Sequence, residues 1–193
     1  VNPGDRVALF TDEKLPFLVA QLGASLAGAV PVPLNPAFTR EEMRYFLTDS
    51  GARVIVCGHA QRPVVDVLRG EVPTLEVSLS VGDALDGTDV PWRRPDIGPD
   101  DPCLMIYSSG TTGWPKGVVH THGNAAASLH ALAACWRMSA QDVVLNVLPL
   151  FHIHGLAFAT HMTWLTGGCV TVEDAFEPAR TLDVARTCTV VMA

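Results

Sequence analysis

Clustered positive charge is what this sequence most conspicuously lacks. Its 193 residues include 13 Lys or Arg against 20 Asp or Glu, a formal net charge of −7, with no basic run longer than Arg93-Arg94. Affinity for a phosphate backbone comes from clustered Lys and Arg, so a nucleic-acid surface is excluded. Cysteine is equally unhelpful to a stapled or metal-bound fold. The five residues at 57, 103, 135, 169 and 188 are odd in number and widely spaced, which argues against a disulfide framework or a CxxC knuckle and fits a reducing, cytoplasmic setting. Charged residues make up only 17% and hydrophobic ones 48%, a balance that excludes intrinsic disorder and supplies enough apolar surface for a core. No internal repeat and no low-complexity tract occur.

Uninterrupted hydrophobic spans are missing too. Three long uncharged stretches, 15–39, 117–136 and 143–172, are each broken: by Pro31, Pro33 and Pro36; by His120, His122 and Asn124; and by Asn146, Pro149, three histidines and Gly167-Gly168. They read as buried elements of an α/β protein. No charged-then-apolar signal segment opens the chain, and a start at Val1 gives it the look of an excised piece.

Arg6 to Phe10 reads as a strand, followed by a helix capped by Thr11 or Asp12 and running to about Gly28, with Leu15, Leu18, Val19, Leu22 and Leu26 on its apolar face. Ala29 to Leu34 is extended, its prolines placing it at an edge. Thr39 with Glu42 forms a capping box for a helix ending near Ser50-Gly51, and Arg53 to Cys57 is the next strand. This β-α-β-α-β order predicts a mostly parallel sheet. Residues 58–101 are less periodic and read as either a surface excursion or a transition between subdomains. Beyond them come a strand from Pro102 to Tyr107, a loop over 108–117, a strand at Val118 to His120, and a helix from Ala125 to Met138 capped by Asn124. A strand at Val143 to Val147, a loop to Gly155, a helix over Leu156 to Leu165, and strands at Cys169 to Val172 and from Val190 onward complete the chain.

The chemistry concentrates in Ser108-Ser109-Gly110-Thr111-Thr112-Gly113-Trp114-Pro115-Lys116-Gly117. Glycines let backbone N–H groups approach an anion, hydroxyls add donors, and the lysine adds a mobile positive charge, which together suit a phosphate group. This is not a P-loop: no glycine directly precedes the lysine, Gly117 stands where a magnesium-binding Ser or Thr should be, and Pro115 with Val118-Val119 closes a hairpin and does not launch a helix. A plain solvated turn is the alternative for such a composition.

Tyr107 to Gly117 resembles the phosphate-loop signature of the adenylate-forming acyl-CoA synthetase superfamily, which includes luciferases and peptide-synthetase adenylation domains. The likeness continues in Leu26-Ala27-Gly28-Ala29-Val30-Pro31-Val32-Pro33-Leu34-Asn35-Pro36 and in Leu148-Pro149-Leu150-Phe151-His152-Ile153-His154-Gly155-Leu156, in the family's order. It implies an α/β fold of parallel-rich sheets flanked by helices, residues 1–193 being part of the large N-terminal AMP-binding domain. It also implies a two-step reaction: a carboxylate attacks the α-phosphate of ATP, and coenzyme A then takes the acyl group from the adenylate. Lys116, the hydroxyls of Ser108, Ser109, Thr111 and Thr112, and the amides of Gly110 and Gly113 would hold the β- and γ-phosphates, with magnesium arriving on the nucleotide. By the same resemblance His152 stands beside the reacting carboxylate and gates its pocket, and His154 faces the acyl group.

Without the motif, both histidines read as ordinary hydrogen-bonded residues. The pairs His120-x-His122 and His152-x-His154 would share a face if they lay on strands, as a zinc site needs, but no third ligand has compelling spacing, and no role follows for His120 or His122. No acidic residue lies between His152 and Leu156, which weakens an amino-acid substrate; the wording looks most like malonyl-CoA synthetases and short- to medium-chain ligases. Adenine- and ribose-binding elements, the hinge and the C-terminal domain are expected beyond Ala193, and the 193 residues alone are expected to lack ligase activity. The competing readings are a non-catalytic nucleotide- or polyphosphate-binding module, an adenylation domain feeding a carrier protein, and a structural fragment whose loop is empty.

Overall fold

Short runs of β-branched and aliphatic residues between turn signals become strands buried on both faces. The computed structural model describes residues 1–85, 93–108 and 113–193. Strands β1 (Arg6–Phe10), β2 (Val30–Pro33), β3 (Val54–Cys57) and β4 (Val77–Ser80) form a fully parallel sheet in the order β2-β1-β3-β4. Helices α2 (Arg40–Ser50) and α3 (Arg62–Leu68) close over one face, where Met43, Phe46, Leu47, Val65 and Leu68 pack with Ala8, Phe10, Val30, Val32, Ile55 and Cys57. The alternating residues Val7, Leu9, Val54 and Val56 are also buried, so the sheet is covered on both sides, as parallel sheets require. Pro31 and Pro33 lie on the edge strand, where a missing N–H costs no ladder bond.

Local chemistry sets the helix ends. Thr39 Oγ1 accepts from the Glu42 amide at 3.3 Å while Glu42 Oε2 accepts from the Thr39 amide at 2.8 Å, the expected capping box, and Gly51 closes α2 in the left-handed region at φ 63°. Helix α1 (Lys14–Leu26) departs from expectation at both its start and its face. It begins at Lys14, after Thr11 Oγ1 has accepted from the Glu13 amide, and its N-cap Glu13 makes no side-chain cap bond. Its buried face is Lys14, Phe17, Leu18 and Gln21; Leu15 is 71% and Leu26 57% exposed. Leu18 of the expected face is buried as read, but the helix is turned so that Phe17, the larger apolar payload, joins it inward while Leu15 and Leu26 face out. Residues 58–85, expected as an excursion or a transition, instead carry α3, β4 and α4 (Val81–Leu85), and β4 adds a fourth parallel strand.

The hairpin is present as expected: β5 (Pro102–Ser108) pairs antiparallel with β6 (Lys116–Thr121). Only Leu104 and Met105 of it are buried, and Val118 and Val119 are 45% exposed, so the second strand is not a core element. Helix α5 (His122–Trp136) starts three residues before the expected Ala125, and of its residues only Ala133 is buried, which corrects the reading of 117–136 as buried. The chain divides into two compact units, Val1–His122 and Gly123–Ala193.

In the second unit β7 (Val143–Asn146) sits between β8 (Cys169–Val172) and β9 (Val190–Met192), all parallel, in the order β8-β7-β9. This repeats the arrangement of β2, β1 and β3 although no sequence repeat announces it. The segment expected as an α-helix over Leu156 to Leu165 is a π-helix at His154–His161 followed by one α turn, α6 (Met162–Leu165); α7 (Pro178–Ala185) precedes β9. No helix among the described residues is long and apolar enough to cross a membrane.

Two outcomes test this packing. Leu18→Ala should cost about 2–5 kcal/mol and Leu15→Ala, on the stripe expected from sequence to be buried, within about 0.5 kcal/mol, read as shifts in urea midpoint; equal losses would reverse the assigned face. Burial pulls His161 down to about 4 from 6.5. As pH falls through 6.5 the unfolded chain takes up this proton while the folded chain does not until about pH 4, so stability drops across that window and levels below it. His161→Phe should remove up to about 3 kcal/mol of this acid loss; an unchanged slope of stability against pH between 6.5 and 4 would contradict the assignment.

Candidate functional site

Antiparallel pairing brings the two ends of the glycine–hydroxyl loop together. Ser108 lies directly opposite Lys116 in the β5–β6 register, Tyr107 opposite Gly117, and Ser108 Oγ approaches the Lys116 carbonyl at 3.4 Å. Of the expected phosphate ligands, Ser108, Gly113 and Lys116 are thus gathered at the mouth of one hairpin, while Ser109, Gly110, Thr111 and Thr112 lie outside the described residues. Gly113 has φ 147°, a conformation that side-chain-bearing residues rarely adopt, so its glycine is required by the backbone. Lys116 is exposed, and no carboxylate pairs with it among the described residues. An ammonium in that setting is available to an incoming anion.

The loop's roots are held by residues that the motif does not include. Trp114, 61% exposed, stacks on Tyr45 with ring centroids 4.7 Å apart, and the Tyr45 hydroxyl donates to the Pro115 carbonyl at 2.7 Å. On the other strand the Tyr107 hydroxyl donates to Asp49 Oδ2 at 2.6 Å, and its ring meets Phe46 edge-on at 4.7 Å. Burial, and then the bond to Asp49, push the Tyr107 phenol well above its ordinary value, so it stays a donor. A side chain at Gly117 would run into Met105 and approach the Tyr107 ring at 3.3 Å. The signal for these supports was present in Tyr45 and Asp49, four apart on a capped helix and therefore on one face.

His152 and His154 belong to the second unit and lie just beyond the carboxyl end of β7, its central strand. Loops at this end of a parallel sheet are where open α/β folds place ligands. Both histidines are exposed; His154 is the first residue of the π-helix, with Phe158 at 5.6 Å edge-on, and Phe151 lies 4.5 Å from the His152 ring. A π-helical turn is uncommon and recurs at functional sites. What fixes it is Asn146, fully buried at the end of β7. Its Nδ2 donates to the Gly155 carbonyl at 2.9 Å and to Thr160 Oγ1 at 3.0 Å, its Oδ1 accepts from the Leu148 amide at 3.0 Å, and Thr160 also donates to Gly155 at 2.9 Å. A Cβ on Gly155 would collide with the Pro149 carbonyl, so the turn closes only on glycine. Neither histidine pair lies along one strand: His120 is in β6 but His122 opens α5, and His152 precedes the π-helix that His154 begins, which removes the shared-face argument for zinc. Among the described residues no group of three or more His, Cys, Asp or Glu side chains converges as a metal site.

The family description "AMP-binding enzyme" matches residues 1–193. The chain is 36% identical over 166 residues to the long-chain-fatty-acid–CoA ligase FadD13 of Mycobacterium tuberculosis, covering 81% of this chain and 32% of that protein. It is 36% identical over 180 residues to the mitochondrial malonate–CoA ligase ACSF3 of Bos taurus, covering 88% of this chain and 30% of the relative. It therefore spans about a third of the length of the curated relatives it matches. The crystal structure of ATP-bound MatB from Rhodopseudomonas palustris superposes with a TM-score of 0.91 at 34% identity, over 100% of this chain and 40% of that one. The sequence and fold comparisons agree, and the chain belongs to the AMP-binding enzyme family of adenylate-forming enzymes.

Proposed function

We propose that these residues form part of the nucleotide-binding domain of an ATP-dependent carboxylate–CoA ligase, and that the Lys116 hairpin holds the β- and γ-phosphates of ATP. The observation that carries this reading is the exposed Lys116, paired with no carboxylate among the described residues, at the mouth of a hydroxyl- and glycine-rich hairpin in a chain of this family. In the first step the substrate carboxylate attacks the α-phosphate and pyrophosphate leaves. Negative charge grows on the leaving group, so a lysine, hydroxyls from Ser108, Ser109, Thr111 and Thr112 and amides from Gly110 and Gly113 stabilise it and keep it in line with the attack. In the second step the sulfur of coenzyme A attacks the acyl carbon and AMP departs. Magnesium travels with the triphosphate in this reading, because no acidic cluster among the described residues offers it a cage of its own.

His152 stands in this proposal beside the reacting carboxylate and His154 against the acyl group, both supported by a loop rooted on Asn146 and Gly155. The malonate–CoA ligase and MatB likenesses support malonate or another short- to medium-chain acid as substrate. Five unpaired cysteines support a reducing, cytoplasmic setting.

Lys116→Ala should weaken ATP and pyrophosphate binding about 10- to 100-fold, the worth of a charged hydrogen bond of about 1.5–3 kcal/mol, as measured by calorimetric titration. Equal affinities in the variant and the parent protein would remove the phosphate from this hairpin.

A further inference from the structure

A two-stranded ribbon with one mostly exposed strand is marginal on its own, so a rigid Lys116 must borrow its rigidity from elsewhere. Both strands are tied to one helix. Tyr107, the residue before Ser108, donates to Asp49 Oδ2 at 2.6 Å and reaches the Phe46 carbonyl at 3.4 Å. Across the ladder Trp114 stacks on Tyr45, and Pro115, the residue before Lys116, accepts from the Tyr45 hydroxyl at 2.7 Å. Tyr45 and Asp49 lie one turn apart on α2, so a single helical face grips Tyr107, just before Ser108 on β5, and Trp114 and Pro115, just before β6 begins at Lys116. Phe46, 3% exposed between them, anchors that face in the core of the first sheet and stacks on Phe38 at 4.5 Å.

We infer that Tyr45 and Asp49 are positioning residues for Lys116: by clamping the hairpin mouth from α2 they set where the ammonium meets the leaving pyrophosphate. The inference rests on the phosphate reading of the hairpin given above. Its physical basis is that misplacing a catalytic contact by an ångström costs about 100-fold in rate, while the ammonium sits on a flexible stem whose root alone can be fixed.

The test is ATP–pyrophosphate exchange by the complete protein carrying this chain, comparing Tyr45→Ala, Tyr45→Phe, Asp49→Ala, Tyr107→Phe, Lys116→Ala and the double variant Tyr45→Ala/Lys116→Ala. Tyr45→Ala and Asp49→Ala should lower kcat about 10- to 100-fold with the KM for the carboxylic acid unchanged. Tyr45→Phe, which keeps the stack and loses one hydrogen bond, should lose less. The double variant should be within about twofold of Lys116→Ala alone, because a positioning residue acts through the group it places. A merely structural role predicts losses that multiply and a rise in KM for every substrate. Should Tyr45→Ala fail to fold, Tyr45→Phe and Tyr107→Phe each delete one oxygen and carry the same comparison. A full Lys116→Ala effect with multiplicative losses, or none, from the α2 variants overturns this inference alone; an inert Lys116→Ala overturns the phosphate reading and this inference with it.

Discussion

Both units are organised by one constraint: a central parallel strand, β1 or β7, hydrogen-bonded on both sides and buried from its second residue onward. Such a strand has no place for an unpartnered polar group, whose burial costs several kcal/mol, about 2–7 by transfer measures. Polar chemistry is therefore driven to the carboxyl end, where the ladder stops. Asn146 shows how sharply the line is drawn. It is the last residue of β7 and fully buried, and it is tolerated because its amide nitrogen finds two acceptors and its oxygen one donor. Those bonds fold the following loop back on the strand, so that His152 is presented from a fixed root although the imidazole itself is exposed.

The hairpin meets the same need by other means. It has no buried central strand, and its exposed β6 cannot be rigid through sheet packing. Aromatic contacts replace that support: Tyr45 on Trp114, Phe46 on Tyr107, with one short hydrogen bond closing each side. Aromatic pairs of this kind contribute about 0.5–1.5 kcal/mol beyond the area they bury. That is modest against folding as a whole but large against the freedom of a two-stranded ribbon.

Wherever a local rule decided an element unopposed, that element could be read from the sequence. The Thr39–Glu42 capping box, the edge position of the proline-bearing β2, the strands at β3 and β8 and the hairpin itself all follow from side-chain chemistry within a few residues. Reading failed where two local answers competed. Helix α1 offers apolar residues over a broad arc, and whether Phe17 or Leu15 joins Leu18 against the sheet is decided by the sheet; α3 and β4 lack strong periodicity and exist because β3 presents an open edge for another parallel strand. The π-helix could not be seen because its cause, the Gly155 carbonyl shared by Asn146 and Thr160, joins residues nine and five apart through tertiary packing. At the candidate site the loop was legible, while of its braces only the shared face of Tyr45 and Asp49 was, since Tyr45 lies 70 residues from Pro115 and Asp49 lies 58 from Tyr107.

Charge adds a further reason for so specific a support. In the proposed reading a triphosphate approaches a chain of net charge −7, and screening at physiological salt confines attraction to about 8 Å, so one well-placed cation matters more than the sum. Five arginines, Arg40, Arg53, Arg62, Arg180 and Arg186, are committed to carboxylates. Of the two lysines in the sequence, Lys14 is buried in α1, which leaves Lys116, the sole Lys or Arg between Arg94 and Arg137. An ammonium with no Lys or Arg within twenty residues on either side of it in the sequence has no basic neighbour along its own strand to compensate for a shift in its position. Its location then has to be secured by the backbone beneath it, and the backbone at residues 114–116 is secured by Tyr45.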